Sequence, residues 1–254
     1  MVDSTERFTT RVENYIKYRP DYPRAIIDLL RAECALTASA IVADIGSGTG
    51  KLAGLFLENG NRVFGIEPND AMREAGEHLL AAYSRFTSID GTAEATTIPN
   101  ASVDFVMAGQ AFHWFDVENA RREWARILKA DGWVVLVWNT RRTTGTPFLE
   151  AYEQLLQRYG TDYQAVRHEQ IADDALRSFF GGAGPKLATF ENRQAFDFDG
   201  LKGRLLSSSY TPELEHSTHQ PMLDASRTIF EEHAREGKVH FDYNTEVYYG
   251  HLAG

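Results

Sequence analysis

Between residues 40 and 138, short apolar runs alternate with longer stretches whose apolar positions recur every three or four residues. The runs 40–45, 62–66, 86–89, 103–108 and 133–138 predict strands. The intervening segments 52–59, 70–83 and 117–129 carry helical spacing. Alternation of this kind predicts a parallel sheet built by right-handed strand–helix–strand crossovers.

Outside this core the pattern turns helical. Helices are predicted over 4–18 and 24–34, separated by Tyr18-Arg19-Pro20-Asp21-Tyr22-Pro23, where each proline disfavours helix at the residue before it. Further helices are predicted over 147–159, 173–180 and 222–236. Strands are expected over 186–198 and 239–249, with 181–185 (Gly-Gly-Ala-Gly-Pro) as a turn. No linker or repeat interrupts the chain. One domain is therefore expected, with N-terminal helices 1–38, a core 39–140, cap helices with a sheet strand 146–210, and a C-terminal helix with closing strands 211–254.

Composition narrows the partners. The 254 residues are 43% hydrophobic and 24% charged, enough apolar surface for an independent core. A formal charge of −10 with scattered basic residues argues against nucleic acid. Cys34 is the single cysteine, so neither an internal disulfide nor a thiolate metal cluster can form. The charged N-terminal stretch and the lack of any long apolar run point to a cytosolic protein without a membrane partner, monomeric or homodimeric. His216 and His219 lack companions that would complete a metal site, and are expected at the surface.

The chemistry is concentrated after the first strand, in Asp44-Ile45-Gly46-Ser47-Gly48-Thr49-Gly50. Alternate glycines let the backbone turn sharply and let a ligand lie against bare main chain. Lys51 stands where the dinucleotide fingerprint needs its third glycine, and Ile45 and Leu52 break the P-loop pattern. The loop suits S-adenosylmethionine instead, with Asp44 serving the ammonium end, directly or through water. Glu67, which follows the second strand, is placed to accept hydrogen bonds from both ribose hydroxyls.

This stretch resembles motif I of the class I S-adenosylmethionine methyltransferases. The chain is similar in particular to their ubiquinone-methylase-like and trans-aconitate-methyltransferase-like branch. The likeness extends through Tyr15-Ile16-Lys17-Tyr18-Arg19-Pro20-Asp21-Tyr22-Pro23, Gly91-Thr92-Ala93-Glu94 with Ile98-Pro99, and Gln110-Ala111-Phe112-His113-Trp114-Phe115. Ser207-Ser208-Ser209-Tyr210 and Phe241-Asp242-Tyr243-Asn244-Thr245 add to it. The resemblance implies an α/β, Rossmann-like, doubly wound and mostly parallel seven-stranded sheet with helical cap elements. It implies that Tyr15 and Arg19 close over the cofactor, Arg19 pairing its carboxylate. Gly46, Gly48 and Glu67 then hold the amino acid and ribose, Thr92 and Ala93 the adenine, and Gln110 the region beneath the sulfonium. Many relatives carry Asp where Thr92 stands, so a backbone contact from Ala93 is expected there.

Methyl transfer from a sulfonium is an in-line displacement that rests on alignment and exclusion of water, without metal. The acceptor is expected to be a small molecule methylated on oxygen or carbon, a carboxylic acid among the options. His113, among Phe112, Trp114 and Phe115, has two readings, a proton acceptor or a residue shaping an apolar pocket together with Trp114. Arg141 and Arg142 read first as solvated surface and second as a grip on a substrate carboxylate. No Asn/Asp-Pro-Pro-aromatic segment follows the fourth strand, which disfavours methylation of exocyclic amines in DNA. The rival functions are a non-catalytic S-adenosylmethionine-binding or interaction protein and an NAD-linked oxidoreductase, which Lys51 disfavours.

Overall fold

The computed structural model describes residues 11–161, 163 and 173–253. Seven strands form one sheet in the order β3-β2-β1-β4-β5-β7-β6. They are β1 (Ile41–Ile45), β2 (Arg62–Ile66), β3 (Phe86–Ile89), β4 (Val103–Gly109), β5 (Leu128–Arg141), β6 (Lys186–Phe196) and β7 (Val239–Gly250). The first five run parallel, while β7 lies antiparallel between β5 and β6. This is the expected doubly wound architecture. The chain moves outward from β1 to β3 and then returns to place β4 on the other side of β1. Such a reversal opens a crevice beyond the carboxyl ends of β1 and β4.

Side-chain alternation divides the core into two layers. On one face Val42, Val63, Met107 and Val135 pack against α2 (Ala25–Cys34) and α3 (Lys51–Glu58). On the other, Ala43, Ile66, Val106 and Leu136 meet α5 (Val117–Ile127) and α7 (Asp173–Phe180), with Trp124 and Phe180 fully buried. α4 (Asp70–Leu79) begins with the Asn69 side chain accepting from the Met72 amide. A third cluster joins α6 (Pro147–Tyr159), α8 (Phe198–Leu206) and α9 (His219–His233) to Phe241 and Tyr243, on the first half of β7. Each fully buried aliphatic or aromatic side chain contributes roughly 1.5–3 kcal/mol, so this cap is anchored by its own apolar core.

Several boundaries differ from expectation. The first helix, α1, is Val12–Tyr18, and the rest of the expected 4–18 span, residues 4–10, lies outside the described residues. The helix expected over 117–129 stops at Ile127 because Leu128 pairs with Val103 and already belongs to β5. The strand expected to run to residue 198 ends at Phe196, where the Asp197 carboxylate accepts from the Gly200 amide and starts the unanticipated α8. The last helix begins at His219 rather than residue 222. The tail holds one closing strand, β7, rather than several. No described helix is long and apolar enough to cross a membrane.

Candidate functional site

The glycine loop sits at the sheet crevice and is fixed from below. The Gly46 and Ser47 amides donate to the Ile66 carbonyl at 2.8 and 3.0 Å. Gly46, Gly48 and Gly50 all have positive φ (65°, 56° and 80°), a region costly for residues with a Cβ. At Gly46 space matters as much as conformation, because an added Cβ would lie 2.7 Å from the Cβ of Ala111. The loop after β1 and the loop after β4 thus approach as closely as backbone allows.

Asp44, at the end of β1, is 1% exposed. Its Oδ2 accepts from the Ala53 amide at 3.0 Å, filling one of the unpaired donors in the first turn of α3. Its Oδ1 is buried with no hydrogen-bond partner among the described residues. Burial pushes this carboxyl up to about 8, partly countered by the Ala53 hydrogen bond, with the Glu67 charge adding to the rise. Glu67 accepts from the Gly48 amide through Oε2 (2.8 Å) and from the Asn69 amide through Oε1 (2.9 Å). It therefore holds the glycine loop, and each oxygen retains a second lone pair. Burial raises its carboxyl, against those two amide hydrogen bonds.

Two adjoining cavities open here, sharing Tyr15, Gly46, Gly109, Gln110 and Trp114 as walls. One continues along Gly48, Glu67, Thr92, Ala93 and Phe115. Ala93 is buried and its carbonyl accepts from Trp124 Nε1 at 3.1 Å, whereas Thr92 is exposed at the rim. The other continues along Arg19, Asp44, His113, Arg141, Tyr163, Arg204 and Tyr210. Every site residue expected from the sequence borders one cavity or the other. Gln110 stands at their junction with φ of +61°, its amide on the Val137 carbonyl and its side chain on the Asn139 carbonyl. A left-handed glutamine at such a position is backbone strain held by its surroundings.

The segment after α1 crosses the cavity mouth. The Lys51 ammonium meets Asp21 at 2.6 Å, and the Asp21 carbonyl accepts from Asn192 at 2.8 Å. Arg19 stacks on the Tyr15 ring (5.4 Å) and donates through Nη2 to the Ser207 carbonyl, while its buried Nε has no hydrogen-bond partner among the described residues. Burial works against its charge, as does the nearby Arg204.

Two readings need correction. Arg141 is not solvated surface: its side chain is 9% exposed and paired with Glu153 at 2.5 Å, with Tyr163 at 3.0 Å. Arg142 does face solvent, on Asn244 and Glu191. His219 is buried on the Pro212 carbonyl, whereas His216 is exposed. His113 lies in a single 3-10 turn (Phe112–Trp114), its ring 4.6 Å from that of Trp114. Arg204, Tyr163 and Tyr210 were not anticipated. Among the described residues no group of three or more His, Cys, Asp or Glu is arranged to hold a metal ion.

Residues 43–136 match the profile of a methyltransferase domain family. The chain is 35% identical over 160 residues to an uncharacterized methyltransferase-like protein of Schizosaccharomyces pombe, covering 61% of this chain and 59% of that protein. It is 38% identical over 139 residues to an uncharacterized methyltransferase of Mycobacterium tuberculosis, covering 55% and 54%. The chain thus spans somewhat over half the length of these curated relatives. Its fold is shared with a putative type II methyltransferase from Anaeromyxobacter dehalogenans (TM-score 0.69, 20% identity, 92% and 98% of the two chains). It is also shared with a SAM-dependent methyltransferase from Geobacter sulfurreducens in complex with S-adenosyl-L-homocysteine (TM-score 0.53, 16% identity, 98% of each). The fold is the Rossmann-like fold that these methyltransferase structures share.

Proposed function

We propose that this chain is an S-adenosylmethionine-dependent methyltransferase that methylates a small-molecule acceptor on oxygen or carbon, releasing S-adenosylhomocysteine. The observation that carries this reading is the pair of acids flanking the glycine loop, above all the buried Asp44 Oδ1, which has no hydrogen-bond partner among the described residues. A buried acceptor of that kind calls for a donor. The ammonium of the cofactor is such a donor, and its charge offsets the desolvation that raises Asp44. Glu67 keeps lone pairs for the ribose hydroxyls while anchoring Gly48. Ala93, buried beside Thr92, borders the space for adenine, and Gln110 that beneath the sulfonium. Tyr15 and Arg19 close the amino acid end, with Arg19 on the carboxylate, which supports placement in the ubiquinone- and trans-aconitate-methylase-like branch.

When bound, the cofactor supplies an electrophilic methyl group on a sulfonium. The chain's own residues enclose and align the acceptor. The core 39–140 holds the donor, and residues 15–22 with Tyr163, Arg204, Ser209 and Tyr210 help wall the second cavity, in which His113, Trp114 and Arg141 lie. Besides Arg19, which serves the cofactor carboxylate, Arg141 and Arg204 border that cavity, which favours an acceptor bearing acidic oxygen, a carboxylic acid included. A second chamber so lined also supports catalysis over mere cofactor binding. Titration calorimetry with S-adenosylhomocysteine tests the cofactor claim. Mass analysis of products from a metabolite panel incubated with S-adenosylmethionine tests the transfer. If the protein takes up NADH and ignores both adenosyl compounds, the reading fails.

A further inference from the structure

Among the described residues, guanidiniums dominate the charged groups that line the acceptor cavity. From α1 and the segment after it come Tyr15 and Arg19; from β5, Arg141; from α6, Tyr152 and Glu153; from α8 and the turn after it, Arg204, Ser208 and Tyr210; from β7, Tyr243. Tyr163 completes the wall. Three are guanidiniums, which stay charged in proteins; the same cavity is lined by Lys51, paired with Asp21, by His113 and by Asp44, whose carboxyl burial pushes up to about 8, while Glu153 faces Arg141 from behind the wall. Glu153 is committed to Arg141 and Tyr163. Arg19 is taken by the cofactor carboxylate in the function proposed above. Arg204, 5% exposed, is left with the Tyr243 and Ser208 hydroxyls (3.3 and 3.0 Å) and no carboxylate among the described residues. A buried cation without a compensating anion is strongly disfavoured.

Tyr210 is the neighbour able to supply that anion. It lines the same cavity as all three arginines, and it stands two residues after Ser208, whose hydroxyl oxygen accepts from Arg204 Nη1. The other wall tyrosines are differently placed. Tyr163 donates to the Glu153 carboxylate (2.6 Å), Tyr243 donates to Gln194 (2.9 Å), and the phenols of Tyr15, Tyr22, Tyr152 and Tyr163 are held above their ordinary value, burial being the largest cause for each. At Tyr210 burial also pushes upward, but Arg204, Arg19 and Arg141 together outweigh it and hold the phenol below its ordinary value.

We propose that Tyr210, which lines one cavity with Arg204, Arg141 and Arg19, is the catalytic base of this enzyme and that its acceptor is a phenol or enol. This rests on the methyltransferase reading and names its substrate class. The acceptor O–H bond breaks, its proton passes to the Tyr210 oxygen, and the freed electron pair forms the bond to the transferred methyl while the sulfur–carbon pair stays on sulfur. Re-ionisation of Tyr210 returns the proton to solvent. His113 then shapes the pocket beside Trp114 and is not the base.

Tyrosinate absorbs near 295 nm, so the proposal can be read without the natural acceptor. In the full chain one phenol should ionise ahead of the other ten. That early step should vanish in Tyr210→Phe and move to higher pH in Arg204→Gln, while S-adenosylhomocysteine affinity in Tyr210→Phe stays within about twofold by calorimetry. With a panel of ortho-hydroxylated phenols and β-dicarbonyl enols, Tyr210→Phe should lower kcat by about 10²–10⁴-fold. Identical titrations in parent and Tyr210→Phe, or methylation of carboxylates alone at an undiminished rate in Tyr210→Phe, overturn the proposal. If the early phenol is present but the parent binds no adenosyl compound, the methyltransferase reading is what fails.

Discussion

Replacing Asp44 by Asn should stabilise the ligand-free protein while weakening cofactor binding. The folded carboxyl sits at about 8, against about 4 for an exposed aspartate. Between those values the folded state holds a proton that the unfolded state has lost, so stability falls as pH rises through that window. At pH 7 the accumulated cost is about 3 pH units, or roughly 4 kcal/mol. The asparagine keeps an oxygen for the Ala53 amide but leaves an unpaired N–H₂ where Oδ1 was, a penalty of about 1–3 kcal/mol. The net gain is about 1–3 kcal/mol, and each kcal/mol is worth about 2–4 °C in Tm for a chain of this size. The advantage of Asp44→Asn should widen by about 1.4 kcal/mol per pH unit from pH 4 to 8 and then level off. Affinity for S-adenosylhomocysteine should drop about 10- to 100-fold, the loss expected when a charged hydrogen bond becomes neutral. Urea titrations at pH 5, 6, 7 and 8 and calorimetry measure both. A stability difference that ignores pH, or undiminished binding, refutes the reasoning.

Other expectations follow from the same contacts. Arg141→Ala leaves Glu153 buried without its cation and should cost about 3–5 kcal/mol in urea unfolding, whereas Arg141→Met with Glu153→Leu should recover most of that. Gly203→Ala places a Cβ 2.0 Å from the Tyr18 ring, so α1 must shift; reduced S-adenosylhomocysteine affinity, through displaced Tyr15 and Arg19, is the calorimetric readout. Glu123 is held down at about 2 by its hydrogen bond to Arg126 and by the Thr96 amide and hydroxyl. A depressed acid stabilises above its unfolded value, and that stability is lost as pH falls from about 4 to 2. Glu123→Gln should therefore flatten the acid limb by about 1 kcal/mol after solvent screening, seen as a smaller loss of Tm at low pH.

The core and its loop were legible because their signals are local. Apolar runs of strand length with helical spacing between them admit few folds, and glycines at 46, 48 and 50 beside Asp44 and Glu67 have few other uses. What escaped depends on contacts distant in sequence. α8 contains Gly200 and Gly203, which read as helix breakers; they are there because Phe196 and the Tyr18 ring press on those positions, and a Cβ would lie 2.7 and 2.0 Å away. With that helix went Arg204. The apolar run that marks the fifth strand stops at residue 138, so it gives no sign that Arg141 still belongs to the sheet. β5 runs on to Arg141, which carries its side chain to Glu153 of α6, whereas Arg142 lies just past the strand on Asn244 and Glu191.

β7 pairs with β5 along one side and along the other supplies every partner of β6, from Lys186–Tyr249 to Phe196–Val239. During synthesis the parallel strands can assemble as they emerge, while β6 waits for a partner encoded some fifty residues downstream. Until β7 arrives, Val134, Val135, Leu136 and Val137, all fully buried in the finished protein, lie on an open sheet edge able to pair with another nascent chain. That edge stays open until β7 clears the ribosome, so slowing synthesis between β5 and β7, or withdrawing chaperones, should lower yield more than a comparable pause before β5.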